Sequence, residues 1–457
     1  MLELIVLSML PIPTGRGGRS PITYALIIIN VAVYLVTSYS NAFLQISNQW
    51  LDFGSFIPVT LVETSQLYRL FTSMFMHADI FHIFFNMYFL YIFGKEVEAT
   101  IGSLRYLTLY VASGISASIF HTAFAIIRGP VDLFIPAIGA SGAISGVLGA
   151  YLMLYPQKRL GLCWFLFLMP WCFTTTAGFF LIFWFATQVI YGYMRLGGTA
   201  FFAHGGGFVA GILLLYTLAP RWLRGGEHAV AWDPWSSSYV YVRKRGLGPL
   251  WKGLLIALLI ALLAGSAYSY AIAESVRSPI YVYNIETQRG GKLDLDTAIY
   301  CTAGNLILQP SSDNPRIAFN RLYWSGLLTG GSSSNGLVKG SGEPMPINEA
   351  WIIKAVVEGV QVRIYFSLSG FIEYDDAGVL KYLNGSLTTE VVNVFFLGFT
   401  TRVEKGDRIT MDVLVEVQSI YNNIGDNIVR PAAITTAIIL LPTTLIVARK
   451  DRELALT

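Results

Sequence analysis

Apolar residues in this chain gather into runs rather than stripes. Runs at 22–40, 80–94, 104–127, 139–155, 161–190, 201–218, 251–273 and 431–448 approach the roughly 20 residues that a helix needs to cross a bilayer. Between the seventh and eighth runs the pattern changes to alternation, as in Gly359-Val360-Gln361-Val362-Arg363-Ile364-Tyr365-Phe366 and again from Arg408 to Val417. Turns such as Gly330-Gly331-Ser332-Ser333-Ser334-Asn335-Gly336 punctuate it. Period-two alternation with Gly/Ser-rich turns predicts strands with one buried face. The pattern therefore predicts an all-α polytopic membrane protein with a β-sandwich-like domain inserted at 276–430, before the eighth span.

Composition agrees with the runs. The chain of 457 residues is 54% hydrophobic and 13% charged, with mean hydropathy +0.56, and a soluble domain carries about twice that share of charge. A net charge of +3 gives no reason to expect nucleic acid as a partner. Positive charge falls mostly in alternate connections, with Arg69, Arg128 and Arg195 as exceptions on the opposite side: Arg16 and Arg19; Lys95 and Arg105; Lys158 and Arg159; Arg221, Arg224, Arg243, Lys244 and Arg245; Arg449, Lys450 and Arg452. The positive-inside rule makes those connections cytoplasmic. The expected order is a cytoplasmic segment 1–20 without a removable signal peptide, a helical core 21–218 and a cytoplasmic linker 219–250. A seventh helix 251–275, the external β domain 276–430, an eighth helix 431–448 and a cytoplasmic tail 449–457 follow. Three cysteines are too few for a disulfide framework, and Cys163 and Cys172, in one apolar run, read as packing residues.

Candidate chemistry sits at the starts of three runs. Gly139-Ala140-Ser141-Gly142-Ala143-Ile144-Ser145-Gly146 places a hydroxyl where a helix begins, beside unpaired N–H groups and the positive end of the dipole. Gly142, Gly146 and Ala150 also form a small-residue face suited to close helix packing. His204, Gly207 and Gly211 share a helix face by their spacing, so the histidine lies where another backbone can approach. His82 and Asn86, four apart, form a third polar pair in an apolar run. The charge pattern puts Ser141 and His204 at similar depth on the outer side. The alternating segment contains none of the five histidines, His77, His82, His121, His204 and His228, which excludes a histidine-based site there.

In this order, His82xxxAsn86, Gly139-Ala140-Ser141-Gly142 and Ala203-His204xxGly207xxxGly211 resemble the rhomboid intramembrane serine proteases over roughly residues 21–218. Tyr68-Arg69 and Gly94xxxGlu98xxxGly102 resemble that family's first outer loop and its helix-two to helix-three connection. The resemblance implies a six-helix core with Ser141 as nucleophile and His204 as general base, without an acidic third member. It implies an oxyanion hole of His82, Asn86 and the Ser141 N–H. The expected activity is hydrolysis of peptide bonds in or near transmembrane segments of membrane-protein substrates, in the cell membrane with the site outside. No cofactor or metal is called for. Ser145 departs from the family, which often has an aromatic residue there under the histidine; a Phe from elsewhere or a hydrogen bond from Ser145 would have to orient His204. His121 reads as a bundle hydrogen-bonder, and Trp184 and Gln188 as packing residues near the outer end of the fifth span. A noncatalytic client binder is the rival from another class, and the β domain is expected to recruit substrates or another surface protein.

Overall fold

A computed structural model describes residues 10–12, 20–166, 169–195, 200–220, 223, 228–233, 238–243, 245–275, 278–301, 307–308, 327–329, 343–357, 360–397 and 400–456. The chain divides into two compact units, residues 1–276 with 424–457, and residues 277–423.

In the first unit all but one of the apolar runs are helical over most of their length. α1 is Pro21–Ser38, α2 Ile80–Phe89, α3 Lys95–Ile101, α4 Ser103–Arg128 and α5 Ser141–Leu154. They are followed by α6, Ala177–Tyr193, α7, Phe201–Leu218, α8, Pro249–Ile272, and α9, Arg430–Lys450. A π-helical turn, Leu90–Gly94, joins α2 to α3, and another, Gly425–Val429, precedes α9. Among the described residues, five helices are long and apolar enough to cross a membrane: Pro21–Asn41, α4, α7, α8 and Gly425–Lys450. The shorter apolar helices α5 and α6 lie among them in sequence.

One buried carboxylate explains how α1 begins. Glu98, in α3, accepts from the Ile22 and Thr23 N–H groups at 2.9 and 2.7 Å, and from the Thr23 and Ser103 hydroxyls at 2.7 Å each. It thus serves donors of the first turn of α1, which lack intrahelical acceptors, and places negative charge at that helix's positive end.

The fifth run is not one helix. Residues Arg159–Leu166 (β2) and Met169–Thr176 (β3) form an antiparallel hairpin, with Leu10–Ile12 (β1) added at the edge of β2. Helix begins only at Ala177, because Pro170 and the β-branched run Thr174-Thr175-Thr176 favour extended backbone, and the Thr176 hydroxyl caps α6 by accepting from Phe179 N–H at 3.3 Å. Cys172 is disulfide-bonded rather than a packing residue, and Cys163 stands opposite it in the hairpin register. Most of segment 1–20 lies outside the described residues. Within the linker, His228–Asp233 (β4) pairs with Ser238–Arg243 (β5). Helices α8 and α9 pack together, and the Ser266 hydroxyl donates to the Ala433 carbonyl at 2.7 Å.

The second unit corrects the sandwich expectation. Its described strands are Ile280–Arg289 (β6), Lys292–Cys301 (β7), Ile307–Leu308 (β8), Met345–Val357 (β9), Val360–Tyr374 (β10), Leu380–Leu397 (β11) and Thr400–Tyr421 (β12). They form one antiparallel seven-stranded sheet, ordered β8-β7-β6-β12-β11-β10-β9. Period-two burial is real, as Ile409, Met411, Val413 and Val415 all enter the core with Phe366, Leu368, Leu383 and Leu387. Alternation specifies that a strand has a buried face but not whether a second sheet covers it. Here Leu327 and Leu328, from a short helical turn, join that core. Pairing of Ile280 with Tyr421 brings the two ends of the unit together.

Candidate active site

The site begins with the meeting of α5 and α7. A Cβ on Gly207 would overlap the Gly142 carbonyl oxygen, one on Gly211 the Gly146 carbonyl, and one on Gly149 the Phe208 carbonyl. Backbones packed this closely tolerate only hydrogen at those positions, so the small-residue faces set the spacing between the helices. Ser141 is the first residue of α5 and His204 lies in the first turn of α7. With the helices locked, His204 Nε2 lies 2.8 Å from Ser141 Oγ.

Gly139 shapes the approach to Ser141. Its φ of +126° lies where side chains are strained, and a Cβ there would come 2.7 Å from His82 Nε2. Its N–H donates to the Ser73 carbonyl at 2.9 Å, and the next N–H, of Ala140, to His77 Nε2 at 3.4 Å. As the first residue of α5, Ser141 contributes an N–H without an intrahelical acceptor.

His82 is held in the first turn of α2 by Asp79, which caps the helix by accepting from the Phe81 and His82 N–H groups at 2.9 Å each. Ala78 N–H donates to His82 Nδ1 at 3.3 Å. Nδ1 is therefore an acceptor, and the neutral ring carries its hydrogen on Nε2, the atom facing Gly139. Asn86 is buried one turn further on, with Nδ2 donating to the His82 carbonyl at 2.9 Å inside its own helix.

Two expectations about His204 do not hold. Ser145 donates to the Ser141 carbonyl at 2.6 Å, so its hydrogen is not directed at the imidazole. The aromatic neighbour is Trp184, with ring centroids 6.2 Å apart at 32°, rather than a Phe. Gln188 Oε1 contacts His204 Nδ1 at 2.8 Å, so this glutamine does more than pack. A polar side chain in an otherwise apolar span was the signal for it. His77 carried no such signal, because its contact with Ala140 joins residues 63 apart in sequence.

A small cavity of about 50 Å³ adjoins Ser141, lined in part by Ser118, His121, Gly139, Gly142 and Ala203. That volume admits a few waters or a small side chain. The motif-like residues outside the site brace its surroundings. Arg69 is buried, donating from Nε to Gln66 Oε1 at 2.7 Å and from Nη1 to the Ser55 carbonyl at 3.0 Å, while the Tyr68 hydroxyl donates to the Phe53 carbonyl at 2.9 Å. Among the described residues no group of histidine, cysteine and acidic side chains could hold a metal ion.

These features define a multi-pass membrane protein with a serine and a histidine paired at the starts of two closely packed helices. A family model described as the rhomboid domain matches residues 64–221, about a third of the chain, and this region of the chain is similar to rhomboid proteins. It is 29% identical over 165 residues to RHOMBOID-like protein 12, mitochondrial, of Arabidopsis thaliana, covering 33% of this chain and 46% of that one. To Rhomboid protease GluP of Bacillus subtilis it is 31% identical over 144 residues, covering 32% and 26%. To Inactive RHOMBOID-like protein 8 of Arabidopsis thaliana it is 35% identical over 92 residues, covering 20% of this chain and 24% of that one. The chain thus spans less than half the length of these relatives.

Proposed function

We propose that the protein is an intramembrane serine endopeptidase that hydrolyses peptide bonds in or near transmembrane segments of membrane-protein substrates. The observation that carries this reading is the 2.8 Å contact between Ser141 Oγ and His204 Nε2. Ser141 attacks the substrate carbonyl carbon while His204 takes its proton, then returns that proton to the leaving amine. The developing oxyanion is met by the Ser141 N–H and by His82 Nε2–H, with Asn86 contributing from the next turn. A helical substrate hides its carbonyls in backbone hydrogen bonds, so the cleaved stretch has to unwind before attack. Hydrolysis is downhill and asks for neither nucleotide nor cofactor.

The charge pattern supports a surface-membrane location with the site and the β unit outside, and clients drawn from the same bilayer. The β unit, without a histidine in its sequence, fits recruitment of substrates or of another surface protein better than chemistry. The rival is a noncatalytic client binder, for which the inactive relative is a precedent by name. A binder has no need for a hydrogen-bonded serine and histidine together.

The deciding measurement uses purified, detergent-solubilised protein without ATP or added metal. Ser141→Ala and His204→Ala should each abolish cleavage of a transmembrane substrate and labelling by a fluorophosphonate, whereas Asn86→Ala should slow cleavage by on the order of 10²-fold. Undiminished cleavage by Ser141→Ala, with contaminating proteases excluded, removes the serine mechanism and favours the client binder.

A further inference from the structure

We propose that Gln188 is a positioning residue that completes a neutral triad: its Oε1 accepts the His204 Nδ1 hydrogen and leaves Nε2 free to take the Ser141 proton. The inference rests on the serine-peptidase reading above and answers what orients His204 where the residue four after the nucleophile is Ser145.

The orientation of the amide follows from its neighbours. The Thr187 hydroxyl donates its single hydrogen to the Trp184 carbonyl at 2.7 Å. In its 3.2 Å contact with Gln188 it must therefore accept, and the Gln188 atom there is the amide nitrogen. The other end of the amide, 2.8 Å from His204 Nδ1, is then the oxygen. An oxygen has only lone pairs to offer, so Nδ1 carries the hydrogen and the Nε2 lone pair faces Ser141 Oγ at 2.8 Å. The opposite tautomer would present Nε2–H to the serine, and the serine could not pass its proton to that nitrogen.

Burial strengthens the contact. Gln188 and Thr187 are both buried, so the hydrogen bonds that set the tautomer form where the local dielectric is low. An amide suits this place better than a carboxylate, because it orients the ring without the several kcal/mol that desolvating an ion costs. Through acylation the Nδ1 hydrogen stays where it is. The Ser141 Oγ proton moves to Nε2, Oγ bonds the substrate carbonyl carbon, and the carbonyl electron pair moves onto oxygen. As the C–N bond breaks, Nε2 returns the proton to the leaving amine. The Gln188 dipole, its negative end at Nδ1–H, favours the imidazolium that exists between those two transfers.

The test compares wild type, Gln188→Met and Gln188→Glu in detergent. Steady-state cleavage is combined with ring ¹⁵N spectra of selectively labelled histidine, His204 being assigned by its absence in His204→Ala. Methionine fills nearly the same space without an oxygen acceptor, and it should lower kcat by on the order of 10- to 100-fold with KM changing less than about threefold. The spectra should show His204 in the Nδ1–H tautomer in wild type and a mixture in Gln188→Met. Gln188→Glu keeps an acceptor and should retain the wild-type tautomer, with kcat restored to within about tenfold of wild type. A wild-type kcat in Gln188→Met, an unchanged tautomer there, or Gln188→Glu as slow as Gln188→Met overturns the proposal. If wild type itself neither cleaves nor is labelled, the peptidase reading fails, while the tautomer comparison on unreacted protein still decides the role of Gln188.

Discussion

At the proposed site, single atoms set the geometry around Ser141. Gly139 is the residue where two demands meet, since its φ of +126° and its nearness to His82 Nε2 both exclude a side chain. Gly139→Ala should therefore push the His82 ring out of place and lower kcat by on the order of 10²-fold, as expected for loss of one oxyanion donor. The backbone strain itself costs about 1–3 kcal/mol, so thermal unfolding of the same preparation should show a modest loss of stability. An unchanged kcat would show that His82 has no part in stabilising the oxyanion. At this scale the sequence was informative wherever residue type and spacing sufficed. His82, Asn86, Ser141 and His204 could be singled out from their places at the starts of apolar runs. Gln188 could be seen as polar in an apolar span, but its partner could not, because that depends on how α6 lies against α7.

Among the elements, helix ends carry the polar demands of the bundle. Glu98 joins α3 to the start of α1 and the start of α4 through four hydrogen bonds, all buried or partly so. Glu98→Ala leaves the Ile22 and Thr23 N–H groups without their acceptor. The expected loss is about 3 kcal/mol of stability, read as a lower unfolding midpoint in detergent, since hydrogen bonds to a charged group contribute more than neutral ones. Retention of the wild-type midpoint would show that Glu98 does not hold these helices together. The Gly94xxxGlu98xxxGly102 pattern was visible in the sequence as a connection, yet its function as a cap on α1 joins residues about 75 apart. The run at 161–190 misled for a related reason. Hydropathy records that a segment is apolar without recording whether its hydrogen bonds are local or run between strands, so a hairpin and a helix looked alike there.

For the whole molecule, the unit at 277–423 is an insertion whose ends pair with each other, Ile280 with Tyr421. Neighbouring ends make it possible to remove such a unit without stretching what flanks it. Replacing residues 277–423 by a short Gly/Ser linker should leave cleavage of a generic transmembrane substrate within about threefold of wild type while changing which natural substrates are selected. Loss of all cleavage by a well-folded deletion would give the unit a part in catalysis itself, and unaltered selection would remove its recruiting role.

The sequence by itself determined what local pattern can encode: a chain too apolar to be soluble, the places of most of its apolar helices, the change to strands after the seventh run, and the polar residues that stand out from apolar surroundings. These follow from transfer energies and from the periods of helix and strand, which depend on neighbours along the chain. Tertiary structure alone decided the rest. The crossing of α5 over α7 set the Ser141–His204 distance, the amide of Gln188 met Nδ1 rather than solvent or lipid, and the seven described strands of the second unit formed one sheet instead of two. Each of these depends on contacts between residues far apart in sequence, where shape and hydrogen-bond geometry select the partner and local periodicity carries no record of it.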